Sequence, residues 1–179
     1  MNKFTQISPY EMSGNTIEQI GREWMLVSAA KSGNGVKCGI DYNTMTASWG
    51  GVGVMWGKPV AFVFIRPERH TYTFIENSDY MTLSFFGAEQ RETLAFCGKT
   101  SGRDTDKAEK CSLTPVFTDI NGERSVYFDE AKRVLTLRKM YADPIDPALF
   151  VDPSCMSFYE KDGLHKMYIC EIVSTLERE

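Results

Sequence analysis

The sequence predicts a mainly β protein, an antiparallel β-barrel with short flanking helices. Two observations carry this prediction: six segments have the composition or alternation of strands, and the segments with helical character are few and short. A parallel sheet needs a long helical crossover between successive strands, whereas antiparallel strands do not. The chain has 179 residues, 42% of them hydrophobic, so we expect one domain spanning residues 1–179 with a real core.

The first three predicted strands lie in the N-terminal third of the chain. Residues 23–30 (EWMLVSAA) are apolar and end at the turn signal KSGNG. Residues 44–49 form the second strand. Residues 60–65 (VAFVFI) form the third, which we expect to be buried on both faces because the run is continuously apolar.

The other three predicted strands are residues 81–86 (MTLSFF), 134–141 (VLTLRKMY) and 166–173 (KMYICEIV). The last two alternate apolar and polar side chains, as half-exposed strands do. Two short helices are predicted, one around Tyr72, Ile75 and Asn77 and one over Glu89–Cys97, ended by Gly98.

Composition excludes several classes of partner. The net charge is −4 with both signs interspersed, so no nucleic-acid surface is predicted. No apolar run approaches the roughly 20 residues that cross a bilayer, and the N-terminal segment MNKFTQISPYEMSG lacks the apolar core of a secretion signal. Five widely spaced cysteines form no CxxC pair and are interpreted as reduced thiols, so we expect a cytoplasmic protein without a metal site.

Familiar catalytic motifs are absent. The two histidines are far apart, and there is no HExxH, no GxSxG and no GxGxxG opening a helix. The segment GVGVMWGK resembles a phosphate loop, but Val52 stands where its first glycine is required. Lys58 is followed by Pro59, so the hydroxyl that would bind magnesium is missing as well.

Four segments carry more glycine and polar chemistry than packing requires. They are residues 43–51, 66–73, 98–107 and 163–166. Within the second, RPERH places three potentially basic side chains in five positions, which fits either a small-anion site or a solvated turn.

In their order and spacing, the motifs NTMTASWGG, RPERHTYTF, SGRDTDK and GLHKMYICEI resemble the flavin reductase-like family of FMN-binding split barrels, which includes the flavoredoxins. The resemblance covers residues 24–173. It implies a six-stranded antiparallel split barrel, non-covalently bound FMN, a homodimer with FMN near the subunit interface, and NADH or NADPH as hydride donor.

The resemblance also implies site residues. The flavin would be wrapped by Asn43, Met45, Thr46, Ala47, Ser48 and Trp49. The phosphate end would be met by Arg69, Thr71 and Thr73, and Arg66 would also bind the cofactor. A further loop contacting the cofactor would comprise Ser101, Gly102, Arg103 and Lys107. His165 matches a histidine placed near the isoalloxazine and the incoming nicotinamide.

Physical chemistry supports these assignments. A guanidinium binds a phosphate bidentately, which suits Arg69 beside the hydroxyls of Thr71 and Thr73. Small side chains at Ala47 and Ser48 would let a planar ligand approach the backbone. A cation near the flavin N1–C2 region would stabilise the anionic reduced form.

Structural alternatives remain for each segment. The arginines could belong to a solvated turn, residues 45–49 to an ordinary strand with Trp49 in the core, residues 101–104 to a surface turn, and His165 to the packing. Cys170 also stands where the family commonly has glycine, and its larger side chain could crowd the barrel or the cofactor.

The function expected from the resemblance is an NAD(P)H-dependent flavin oxidoreductase. Its electrons would pass to a second flavin, a protein partner or another small acceptor. Two alternatives are an FMN-binding electron carrier without nicotinamide turnover and a related barrel that oxidises pyridoxamine phosphate.

Overall fold

The computed structural model describes residues 3–31 and 36–178 and is mainly β, as predicted. Its strands are β1 (Phe4–Ile7), β2 (Met25–Ala30), β3 (Tyr42–Ala47), β4 (Gly50–Met55), β5 (Lys58–Ile65), β6 (Tyr80–Phe85), β7 (Pro115–Ile120), β8 (Glu123–Phe128), β9 (Arg133–Pro144) and β10 (Lys166–Arg178). Its α-helices are α1 (Thr16–Glu18), α2 (His70–Glu76), α3 (Arg91–Lys99) and α4 (Lys107–Lys110), and short 3-10 or π turns complete the chain.

The main sheet is antiparallel and has the strand order β3-β2-β6-β9-β10-β5-β4, with β1 added alongside β10. Its two end strands, β3 and β4, are consecutive in sequence and are joined through Ser48 and Trp49 alone. So short a connection requires the sheet to curl until its ends approach, which is the geometry of a split barrel. The hairpin β7–β8 forms a separate two-stranded sheet.

All six predicted strands are present, with altered bounds. The segment predicted as one strand over 44–49 instead ends β3 at Ala47, and the glycine-rich residues after it form the unpredicted strand β4. The prediction that residues 60–65 are buried on both faces is wrong for Phe62 and Phe64, which are half-buried on the outer side of β5. Strands β1, β7 and β8 were also not predicted.

Two apolar clusters stabilise the fold. One fills the barrel with side chains from β2, β5, β6, β9 and β10, and the other lies between the sheet, α3 and the β7–β8 hairpin. Cys170 belongs to the first cluster and is fully buried at a register shift between β9 and β10. Its thiol therefore occupies the barrel interior, and Cys170 lines none of the site cavities described below.

The phosphate-loop lookalike is a β-hairpin. Met55 pairs with Lys58 across the two-residue turn Trp56-Gly57, and both turn residues have positive φ (52° and 69°). Across residues 3–31 and 36–178, none of the helices has the length and apolar character needed to span a membrane.

Candidate flavin site

Two cavities lie side by side at one end of the barrel and share Arg69. The first, termed the cation cavity, has a volume of about 230 Å³. It is lined by Glu68, Arg69, His70, Thr71, Gly98, Lys99, Thr100, Ser101, Gly102, Arg103 and Lys107.

The second, termed the ring cavity, has a volume of about 240 Å³. It is lined by Met45, Thr46, Ala47, Ser48, Trp49, Phe64, Arg66, Arg69 and His165. Together the two cavities gather every residue predicted for the site except Asn43 and Thr73.

Arg69 precedes the first turn of α2 and stands where the cavities meet. Burial, together with the nearby Arg66 guanidinium, lowers the pKa of Arg69 from its usual value. Among the residues that the structure describes, no carboxylate forms an ion pair with it. A partly buried guanidinium that is not engaged in an ion pair favours binding of an anion.

Lys107 is fully buried at the back of the cation cavity. Its Nζ donates to the carbonyl oxygens of Thr44 (2.6 Å) and Cys97 (3.1 Å), which ties β3 to α3. Burial lowers the pKa of this ammonium group to about 8. Lys107 therefore supports the cavity wall and adds positive charge behind it.

Asn43 lies beneath the cation cavity and supports its wall. Its Nδ2 donates to Thr71 Oγ1 (3.0 Å), and its Oδ1 accepts from Cys38 Sγ (3.6 Å). The Asn43 amide also packs against Gly102, where an added Cβ would lie 2.1 Å from Oδ1. Asn43 thus positions Thr71 and the loop around Gly102.

The loop of residues 100–106 forms the outer wall of the cation cavity. The Arg103 backbone N–H donates to Ser101 Oγ (3.2 Å), so the loop is a side-chain-stabilised turn with Arg103 exposed at its tip. Thr73 lies elsewhere, because its exposed hydroxyl donates to the His70 carbonyl within α2 (2.9 Å).

The ring cavity has a floor of small side chains at the end of β3. Thr46 Oγ1 donates to the Leu94 carbonyl (2.5 Å), so this hydroxyl fixes β3 against α3. Ala47 and Ser48 leave the strand end open to a flat ligand, and Phe64 of β5 adds an apolar wall.

Trp49 is not a core residue, since 40% of its surface is exposed. Its ring meets Phe158 edge-on (centroids 5.5 Å apart) and lies 5.0 Å from the imidazole of His165. Tyr159 joins the same group at 5.6 Å from His165. The group forms an aromatic rim at the mouth of the ring cavity.

Arg66 turns towards the segment that precedes β10. Its Nη1 pairs with Asp162 (2.6 Å), its Nη2 donates to the Phe158 carbonyl (3.1 Å) and its Nε donates to His165 Nε2 (3.4 Å). The guanidinium therefore holds the aromatic rim in place, while Arg69 remains without such partners among the described residues.

His165 is a neutral imidazole at neutral pH. Burial, followed by the positive charge of Arg66, lowers its pKa to about 4. Because Nε2 accepts from Arg66, the ring proton resides on Nδ1, which lies 3.3 Å from the Tyr159 hydroxyl and donates to it.

Several lining residues were not predicted, notably Phe64, Glu68, His70 and Tyr159 of the rim. Glu68 accepts from the Gly163 backbone N–H (2.9 Å) and so holds the loop before β10 against the turn that precedes α2. His70 belongs to the RPERH cluster and could have been identified by its position there. Phe64 carries no chemical signal in the sequence.

The sequence profile of the flavin reductase-like domain matches residues 17–179. The chain belongs to the flavin reductase-like family. This match, which covers most of the chain, confirms the resemblance carried by the four motifs. Curated protein sequences contain no match to the chain.

Solved structures of this family share the fold. An FMN-binding domain of a flavin reductase-like enzyme from Shewanella baltica superimposes with a TM-score of 0.66 at 16% identity, over 98% of this chain and 78% of that one. A flavoredoxin of Desulfovibrio vulgaris gives 0.63 at 20% identity, over 87% and 69%. An NADH:FAD oxidoreductase of Streptomyces globisporus, in complex with NAD and FAD fragments, gives 0.60 at 13% identity, over 88% and 77%.

The cavities suit the cofactor of an FMN-binding family. FMN joins a planar ring system to a phosphate. Here the ring cavity, with small side chains at its base and an aromatic rim, adjoins a cavity lined mostly by cationic and hydroxyl groups, with one carboxylate, that of Glu68. The Nδ1 atom of His70 is buried in the cation-cavity wall without a hydrogen-bond partner among the described residues. Its Nε2 lies 3.1 Å from the Gly39 carbonyl and must donate there, so Nδ1 is the ring nitrogen left for a ligand.

Proposed function

We propose that this protein is an FMN-dependent oxidoreductase that accepts a hydride from NADH or NADPH. The observation that carries the proposal is Arg69, a partly buried guanidinium with no carboxylate partner among the described residues, at the junction of a cationic cavity and an aromatic-rimmed one. The Streptomyces neighbour with NAD and FAD fragments supports a nicotinamide donor. FMN, when bound, supplies the hydride-accepting centre.

The chain's own residues would bind FMN and orient it. Arg69, Thr71 and the loop of Ser101 to Arg103 would hold the phosphate, with Lys107 behind them. Ala47 and Ser48 would receive the ring edge. Positive charge from Arg66 and Arg69 would stabilise negative charge on the reduced ring.

His165 would help to position the reactants and would not transfer a proton. A neutral ring whose proton faces Tyr159 is not a proton donor at neutral pH, so its role is to shape the place where the nicotinamide meets the flavin. We also propose a homodimer, electron transfer to a protein partner, and a cytoplasmic location, the last supported by five free cysteine thiols.

Anaerobic mixing of the FMN-loaded protein with NADH, and separately with NADPH, tests the activity. We expect the absorbance of oxidised flavin to bleach within seconds with at least one donor. Absence of bleaching with both donors would contradict the nicotinamide step and would leave an FMN-binding electron carrier as the alternative. For His165→Ala we expect FMN to stay bound and bleaching to slow.

A further inference from the structure

A third cavity, termed the α1 groove, adjoins the proposed flavin site. It has a volume of about 650 Å³, within the range of small-molecule sites. One wall comes from the segment around α1 and the other from the start of β4. It is lined by Gly14, Asn15, Thr16, Ile17, Ile20, Gly21, Ser48, Trp49, Gly50, Gly51 and Val52.

None of these lining side chains is ionisable. The flavin cavities differ sharply, since Arg66, Arg69 and Lys107 line them. A phosphate or a pyrophosphate in the α1 groove would meet no counter-charge from its walls, whereas an uncharged molecule would lose little on leaving water. The groove therefore selects for uncharged ligands.

The walls present apolar side chains with a few hydroxyl groups. Ile17 is 85% exposed and Trp49 is 40% exposed, so both offer apolar surface to a ligand. An added Cβ at Gly21 would meet nothing within 4 Å, which leaves the groove open there. Thr16 and Ser48 bring hydroxyls that can donate to carbonyl oxygens.

The backbone that shapes this groove has an uncommon conformation. Residues Gln19–Glu23 form a π turn, and Trp24 directly after it has φ 72°. Arg91 stabilises this geometry, because it stacks 3.2 Å from the Trp24 ring and donates to the Arg22 carbonyl (2.6 Å). Single π turns and positive φ at bulky residues concentrate at functional sites.

The groove and the ring cavity are adjacent. Ser48 and Trp49, the two residues between β3 and β4, line both. A molecule in the groove would therefore lie beside the place proposed for the flavin ring.

We propose that the α1 groove binds an uncharged planar carbonyl compound of the quinone class, which serves as electron acceptor. This inference rests on the proposed function for its source of electrons. A quinone reduced there takes up two electrons and two protons and leaves as the hydroquinone. Bound flavin in its reduced form would supply the two electrons, and the flavin and water would supply the two protons.

The test is calorimetric titration of the FMN-loaded protein with menadione, an uncharged naphthoquinone, and with a naphthoquinone sulfonate. We expect saturable binding of menadione and at least tenfold weaker binding of the sulfonate. Ile17→Asp places a carboxylate at the groove wall and should weaken menadione binding at least tenfold. Val151→Asp is the matched control, since Val151 is fully exposed and lies outside the groove, and it should bind menadione like the parent.

Absence of saturable menadione binding, equal affinity for the sulfonate, or an unchanged affinity in Ile17→Asp would overturn the inference. Menadione binding that is lost when FMN saturates the protein would also overturn it, since the flavin itself would then fill the groove. The same titration on FMN-free protein separates this inference from the proposed function, whose failure would appear as absent FMN binding with menadione binding intact.

Discussion

At the scale of single residues, Arg66 and Arg69 show how two similar side chains acquire different roles. They stand three positions apart in one basic cluster, and cofactor contact was predicted for both. The structure gives Arg66 three partners in the segment before β10, whereas Arg69 faces the junction of two cavities. Composition identifies a basic cluster, but only the path of the chain decides which guanidinium is already paired.

His165 makes stability depend on pH. Its pKa falls from 6.5 to about 4 on folding, so below pH 6.5 the unfolded chain binds a proton that the folded chain does not. The contribution of His165 to stability is complete above pH 6.5 and is lost progressively as the pH falls towards 4. Denaturant unfolding at pH 7 and pH 5 should show a smaller loss of unfolding free energy for His165→Gln than for the parent. An equal loss in both proteins would contradict the neutral, buried imidazole.

At the scale of elements, the loop of residues 100–106 depends on one glycine. An added Cβ at Gly102 would lie 2.1 Å from Asn43 Oδ1, so Gly102→Ala must displace either the loop or the amide that positions Thr71. We expect a loss of about 1–3 kcal/mol in unfolding free energy and weaker FMN binding.

Gly53→Ala is the control for Gly102→Ala. A Cβ at Gly53 meets only the Phe62 ring at 3.8 Å, an ordinary contact, so stability and FMN affinity should not fall. Denaturant unfolding measures the stability of both variants, and flavin titration measures their affinity for FMN. Similar behaviour of the two variants would mean that the loop does not depend on the Gly102–Asn43 contact.

The segment before β10 carries the aromatic rim and depends on the Arg66–Asp162 ion pair. Asp162→Asn removes the negative charge that pairs with Arg66. We therefore expect faster amide hydrogen exchange over residues 147–163. We also expect the rate of flavin reduction to change. Glu160→Gln removes a charge two positions away and leaves the Arg66–Asp162 pair intact. Identical exchange in the two variants would contradict a clamping role for Arg66.

At the scale of the whole molecule, curling the sheet brings its two ends together and assembles the site there. The strands with clear apolar patterns, such as β2 and β6, were predictable, as were the four polar segments. The glycine-rich strand β4 was not, because its stability comes from pairing with β5 and from the Phe62 ring packed beside Gly51 and Gly53. Ligand contact was predicted for Lys107, Thr46 and Asn43. In the structure their main hydrogen bonds hold the walls of the site together. These bonds join residues that are 10 to 63 positions apart in sequence.

The most direct test of the central claim compares FMN with riboflavin, which has the same ring system and lacks the phosphate. Titration of flavin-free protein should show one FMN per chain, with riboflavin binding weaker by about tenfold to a hundredfold, the value of a charge-assisted contact of about 1.5–3 kcal/mol. Arg69→Ala should weaken FMN binding by a similar factor and remove most of the difference between the two flavins. Arg22→Ala removes an exposed arginine whose one ion pair among the described residues is with Glu18, and it should change neither. Equal affinities for FMN and riboflavin in the parent protein, or no binding of either, would contradict the account.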